Sequence, residues 1–333
     1  MHLRLRILCL TMVFVPCLRA FAAVDVGPLT PYGETVAEKA RKLELFEFYD
    51  LAFRQGQPER AFARYVSPKF KDYSHLLTHG GPPAGYRQKL AQVRRLLVRY
   101  RAGRFELPDQ ASIDNEMITA YGSTLDVYRI HDGKIVAHWD ASPPAPITIP
   151  AHAPGTAERV MSGKGPAPPG LRMPKLTVAD LTPPPGSNVL HGPVAVGPVS
   201  PYGETPAEAA AKKVTFECTQ MAWVQGNFPA AARRYLSPRL RNYSHIDTQG
   251  KEAYVIEHYP SLNPPNYGAM KKMGIKLGLP KMATVDGDMV IMFGQGVDID
   301  QVDNGRIVAR WDASPPKTVT LEPPPEVPAP LRQ

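Results

Sequence analysis

Two stretches of this 333-residue chain carry acids and bases at spacings that could move a proton. The first is Asp126-Val-Tyr-Arg-Ile-His-Asp-Gly-Lys-Ile-Val-Ala-His-Trp-Asp140, and it returns as Asp298-Ile-Asp-Gln-Val-Asp-Asn-Gly-Arg-Ile-Val-Ala-Arg-Trp-Asp312. Each reads as two strands joined at a Gly-centred turn, and each is stopped by Ser-Pro-Pro, which cannot extend a ladder. With a three-residue turn and Gly133 left-handed, Asp126 stands opposite His138 and diagonal to Asp140. All three then share one sheet face, and Trp139 shares the other with Val127 and Arg129. A two-residue turn separates them. Two carboxyls on one face of a pocket cannot both ionise cheaply, and burial raises their pKa further. One can stay protonated and donate to a carbonyl while the other removes an α-proton. The competing reading ties Asp126 and Asp140 to backbone groups or to Arg129 at the sheet end. In the second stretch Arg310 beside Asp312 favours an ion pair over a base, with recognition of a ligand carboxylate as the alternative.

Other chemistries find little support. His75, His79, His131 and His138 lack zinc-like spacing, so no metal is expected. There is no Gly-x-Ser-x-Gly elbow, Walker loop or dinucleotide fingerprint, and no cofactor is expected. Cys218, among apolar neighbours in a helical pattern, reads as an inert buried thiol.

The elements that must position these residues come in two copies. Val26-Gly-Pro-Leu-Thr-Pro-Tyr-Gly-Glu-Thr35 returns as Val196-Gly-Pro-Val-Ser-Pro-Tyr-Gly-Glu-Thr205, and Asp72-Tyr-Ser-His75 as Asn242-Tyr-Ser-His245. Thr35 with Glu38, and Thr205 with Glu208, are capping boxes, and Pro206 occupies a favoured first helical position. The first helix runs to about Arg54, and a second follows Pro58 and, in the other copy, Pro229. Strands close each copy. Helices first and strands last predict an α+β fold of two cone-shaped domains, each a curved antiparallel sheet wrapped around N-terminal helices. The expected division is a leader at 1–22, domains at 26–144 and 196–316 (the second diverged), a Pro-rich linker at 145–195 and a frayed Pro-rich tail at 317–333.

Phe46-Glu-Phe-Tyr-Asp-Leu-Ala-Phe53, Tyr73-Ser-His75 and the hairpin ending His138-Trp-Asp140 resemble a SnoaL-like polyketide cyclase domain. That family lies in the nuclear transport factor 2-like, or ketosteroid isomerase-like, superfamily. The resemblance covers roughly Lys39 to Ala141, and Lys212 to Ala313 more weakly. It implies a cone with a deep apolar pocket and a general base at the Asp that closes the hairpin, Asp140 or Asp312. The family's partner His corresponds to Asp126 or Asp298, and an ionised Asp cannot donate as that His does. Tyr49, Tyr73, His75 and Trp139 are then expected to bind substrate in the first copy, and Tyr243, His245, Asp298, Arg310 and Asp312 in the second. The second copy departs further, with Thr219 for Tyr49, Asp300 for Tyr128 and Arg310 for His138.

Met1-His-Leu-Arg-Leu-Arg6, an apolar run from Ile7 to Leu18, and Ala20-Phe-Ala22 read as a cleavable signal peptide, too short for an anchor. The chain is thus expected in the periplasm or secreted, with no stable membrane anchor. Its formal charge is +8. Much of this lies on Tyr86 to Arg104, an amphipathic helix with a basic face, and no nucleic-acid motif accompanies it. Two functions stay open. One is binding of a small apolar carbonyl compound, with isomerase, cyclase or aldol-type proton transfer by Asp140, assisted by Asp126 and His138. The other is a non-catalytic binding or assembly protein, in which Trp139 and Trp311 on outer sheet faces make an internal pseudo-dimer, or in which two chains form a homodimer.

Overall fold

The computed structural model describes residues 24–31, 33–100, 107–122, 124–151, 177, 182–244 and 279–324. The expected leader, most of the linker and His245 lie outside them.

The repeated Val-Gly-Pro signature is a strap fastened to the first helix. Thr35 caps α1 (Val36–Tyr49) by accepting from the Glu38 N–H, and the Glu38 carboxylate accepts from the Thr35 N–H at 2.8 Å. Glu34 accepts from the Thr30 N–H and hydroxyl and from Lys42 Nζ at 2.9 Å, while Lys42 also donates to the Pro28 carbonyl at 2.6 Å. Gly27 has φ 69°, and a Cβ there would lie 2.3 Å from the Asp109 carbonyl oxygen, so only glycine fits this approach. Glu204, Lys212 and Pro198 repeat the fastening in the second copy.

α1 runs into a π-turn at Asp50–Arg54 and is followed by α2 (Pro58–Tyr65), β1 (Val66–Asp72), α3 (His75–Thr78), β2 (Ala84–Gly85) and α4 (Tyr86–Tyr100). The strands β3 (Gln110–Asp114), β4 (Met117–Tyr121), β5 (Leu125–His131), β6 (Lys134–Asp140) and β7 (Ile147–Ile149) come next. The succession recurs as α5 (Pro206–Thr219), a π-turn at Gln220–Val224, α6 (Phe228–Tyr235) and the strands β8 (Leu236–Asn242), β9 (Met282–Asp286), β10 (Met289–Phe293), β11 (Val297–Asp303), β12 (Arg306–Asp312) and β13 (Val319–Leu321). The fold is α+β, with two curved, open sheets in the orders β2-β1-β6-β5-β4-β3 and β8-β12-β11-β10-β9. The pairings are antiparallel except β1–β6 and β8–β12, which are parallel.

The hairpin register differs from the expected one. The turn has two residues, with Asp132 and Gly133 both left-handed and His131 paired with Lys134. A bulge then leaves Val136 without a cross-strand partner, so Arg129 pairs with Ala137, Tyr128 with His138 and Asp126 with Asp140. The two-residue turn shifts the alternation by one position and the bulge shifts it back, so Asp126, His138 and Asp140 share a face after all. The second hairpin repeats the device, pairing Asp298 with Asp312 and Asp300 with Arg310.

The inner face of the first sheet packs Ile118, Tyr128, Ile130 and Ile135 against Leu45, Phe48 and Phe62 of the helices. The outer faces of the two sheets share one core, with Val127 and Trp139 in the same cluster as Ile299 and Trp311. The tail is not frayed over Val319–Leu321. It pairs antiparallel with Ile147–Ile149, because each stretch alternates apolar and Thr residues and buries its apolar ends in the shared core.

Candidate functional site

Asp126 and Tyr128 on β5, with His138 and Asp140 on β6, present one cluster on the inner face. Asp72, at the end of β1, is the Cα partner of His138. Lys89, in the first turn of α4, reaches back to it. The Asp72 Oδ2 atom lies 2.7 Å from Lys89 Nζ and 3.1 Å from His138 Nδ1. The other imidazole nitrogen, Nε2, is 2.9 Å from Asp126 Oδ1. Tyr49 donates to the Tyr128 hydroxyl at 2.9 Å, and the Tyr128 ring centroid is 4.7 Å from that of His138. A continuous chain, Lys89–Asp72–His138–Asp126, thus runs from a fully buried carboxylate to Asp126, whose side chain is 28% exposed. Among the described residues Asp126 Oδ2 accepts no hydrogen bond.

The environment separates the titrating groups. Burial would raise the Asp72 pKa, but Lys89 and His138 outweigh it and hold this carboxyl well below the usual range. Burial and Lys89 pull His138 down, yet Asp72 and Asp126 together lift it above its ordinary value. Burial first, and Asp126 second, push Asp140 up to about 6. Asp140 also accepts the Ser142 N–H at 2.8 Å.

The backbone of Asp140 has a different duty. Its N–H donates to Asp286 Oδ2, on β9 of the other sheet, at 2.8 Å. The Asp312 N–H donates reciprocally to Asp114 Oδ2, on β3, at 2.6 Å. Burial, and then Asp140, keep the Asp286 carboxyl well above its usual range. Asp286→Asn retains an acceptor and removes a buried charge, so stability at pH 8 is expected to hold or rise. Asp286→Ala orphans a buried N–H and is expected to cost about 1–3 kcal/mol. Urea melts of the two variants check these opposite outcomes.

Of the residues expected in the first pocket, Tyr49, Asp126, His138 and Asp140 come together, and Tyr73, His75 and Trp139 do not. The Tyr73 N–H donates to the His138 carbonyl at 2.9 Å, continuing the β1 alternation. Its ring therefore falls on the outer face, stacked on Trp139 with centroids 5.2 Å apart. His75 starts α3 and turns to the second copy, where its Nε2 lies 2.7 Å from Glu208 Oε1. In the second copy Tyr243 likewise stacks on Trp311. Arg310 Nη2 donates to Asp298 Oδ1 at 2.9 Å, and its Nε lies 3.9 Å from Asp300 Oδ1. Asp312 Oδ1 accepts the Ser314 N–H. Burial is the main cause that pushes Asp300 up to about 7, against the opposing Arg310.

Sequence reasoning missed Asp72 and Lys89. A signal for Asp72 was present in the repeat itself: Asp72 becomes Asn242 in the copy where His138 becomes Arg310 and Tyr128 becomes Asp300. A carboxylate that disappears together with an imidazole is a candidate partner of it.

No family model matches this chain, and the search of curated proteins finds no match. Solved structures similar to part of it are described as candidate polyketide cyclases. IdmH from Streptomyces antibioticus is 15% identical over 30% of this chain and 88% of its own, with a TM-score of 0.22. A cyclase candidate from Acidithiobacillus ferrooxidans is 17% identical over 32% and 89%, with a TM-score of 0.23. One from Bacillus cereus is 15% identical over 37% and 87%, with a TM-score of 0.25. Scores this low carry no argument about chemistry, so function rests on the site's own geometry.

Proposed function

We propose that the first copy binds a small, largely apolar carbonyl compound and transfers a proton on it, acting outside the cytoplasm as the leader implies. The observation that carries this reading is the pairing of Asp126 with Asp140 on one face, with His138 bound between Asp126 and Asp72. Asp126 Oδ2 removes an α-proton. Asp140, kept protonated to about pH 6 by burial and by Asp126, donates its proton to the carbonyl oxygen as the enol forms. His138, charged between two carboxylates, fixes Asp126 and steadies its negative charge. These roles are the reverse of those the family resemblance implies, in which Asp140 is the base. The two copies act as an internal pseudo-dimer in which the second, with Asn242 and Arg310 in place of Asp72 and His138, supports the first.

The test is exchange of the α-protons of β-tetralone, a small apolar ketone, into deuterated water, followed by NMR. Exchange above the buffer rate is expected at pH 5.5. Exchange no faster than buffer across a panel of enolisable ketones favours the assembly reading, for which the shared outer-face core is the supporting observation.

A further inference from the structure

The outer faces of the two sheets separate on one side into a groove of about 740 Å³. Its walls repeat each other: Lys71, Tyr73 and Trp139 from the first copy stand against Arg241, Tyr243 and Trp311 from the second. Each Tyr lies flat on its Trp, with interplanar angles of 3° and 5° and both centroid separations 5.2 Å. The Tyr73 ring is held by the opposite copy, since a Cβ on Gly287 would approach its Cδ1 to 3.2 Å. The groove therefore presents fixed aromatic walls.

Its charge is unbalanced. Lys71, Arg129, Arg239 and Arg241 line it against two carboxylates. These are Glu116, engaged by Arg129 at 3.0 Å and by His131 at 2.7 Å, and Asp288, which accepts from the neutral Gln301 at 2.6 Å and keeps its charge. Lys71, Arg239 and Arg241 are exposed, and no carboxylate among the described residues pairs with them. Arg241 keeps a hydrogen bond to Tyr243, which places the guanidinium against the wall. Unpaired cations in a concave site concentrate field on an incoming anion, and the volume is that of a small-molecule site.

We propose that this groove is a second binding site, distinct from the Asp126 cluster, for an organic anion with a flat apolar body. The body packs along the Tyr–Trp walls, and a carboxylate or sulfonate meets Lys71 and Arg241.

The test uses the full chain, with anilinonaphthalene sulfonate as the anionic probe and N-phenylnaphthylamine as its uncharged analogue. Both are read by probe emission and by quenching of the groove tryptophans in a Trp223→Phe background. The sulfonate is expected to bind the wild type, more weakly as salt rises. In Lys71→Gln/Arg241→Gln its affinity is expected to fall by about tenfold or more, and in Lys71→Arg/Arg241→Lys to survive. Asp126→Asn is expected to leave it unchanged, so failure of the proton-transfer reading at the Asp126 cluster and failure of the groove are separable. Absence of sulfonate binding, equal binding by the Gln pair, or an uncharged analogue that binds the wild type as tightly as the sulfonate would overturn the proposal.

Discussion

Lys42→Ala is expected to lower the unfolding free energy by about 3–5 kcal/mol, although Lys42 is far from the Asp126 cluster along the chain. The Lys42 ammonium and the Glu34 carboxylate lie 2.9 Å apart with each side chain only 1% exposed. Burial depresses the Lys42 pKa against the opposing pull of Glu34. Truncating Lys42 leaves Glu34 as a buried carboxylate whose remaining donors are the Thr30 N–H and hydroxyl. It also orphans the Pro28 carbonyl. The large term is the uncompensated charge rather than the lost attraction, so Lys42→Met/Glu34→Gln is expected to cost less than Lys42→Ala alone. Lys212→Ala is expected to behave similarly, since Lys212 and Glu204 lie 2.7 Å apart in the same arrangement. Urea denaturation with an unchanged slope checks this. A loss below about 1 kcal/mol would mean that the strap is dispensable.

Asp126→Asn is expected to lower catalysed α-proton exchange by about 10²–10⁴-fold, the usual contribution of a positioned general base. Asn keeps the size of the side chain and a hydrogen-bonding partner for His138, so the loss reads proton removal rather than folding. The pH dependence identifies the second carboxyl. Asp140 carries its proton up to about pH 6 and gives up its donor role above it, so exchange is expected to fall as pH rises through that value. Asp140→Asn retains an N–H donor that does not titrate there, so this variant is expected to keep part of the activity and to lose that fall. A wild-type rate that rises through pH 6 would reverse the assignment and restore Asp140 as the base.

The helices, the capping boxes and the two closing hairpins were legible because they rest on local chemistry. Thr35 with Glu38 announces a helix start, and Asp132-Gly133 announces a turn. The register was less so, because the two-residue turn and the bulge at Val136 each shift the alternation by one position and cancel. That cancellation leaves no mark in the residue types. Asp126, His138 and Asp140 were found because they are close in sequence. Asp72 and Lys89 were not, because a parallel β1–β6 pairing and a helix facing the sheet bring them in from 66 and 49 residues away from His138. Tyr73 and His75 were placed in the pocket by likeness alone. One further step along β1 turns Tyr73 to the outer face, and the start of α3 turns His75 toward Glu208. The duty of Asp140 toward Asp286 depends on how the two sheets pack, which no single copy encodes.

The account stands on Asp140 being kept protonated by burial and by the Asp126 charge, and carboxyl-resolved NMR titration of Asp140 in the full chain tests that most directly. The predicted midpoint is about 6, falling toward the ordinary aspartate value in Asp126→Asn. A wild-type midpoint at or below about 3.9, or one that Asp126→Asn leaves unmoved, would contradict it.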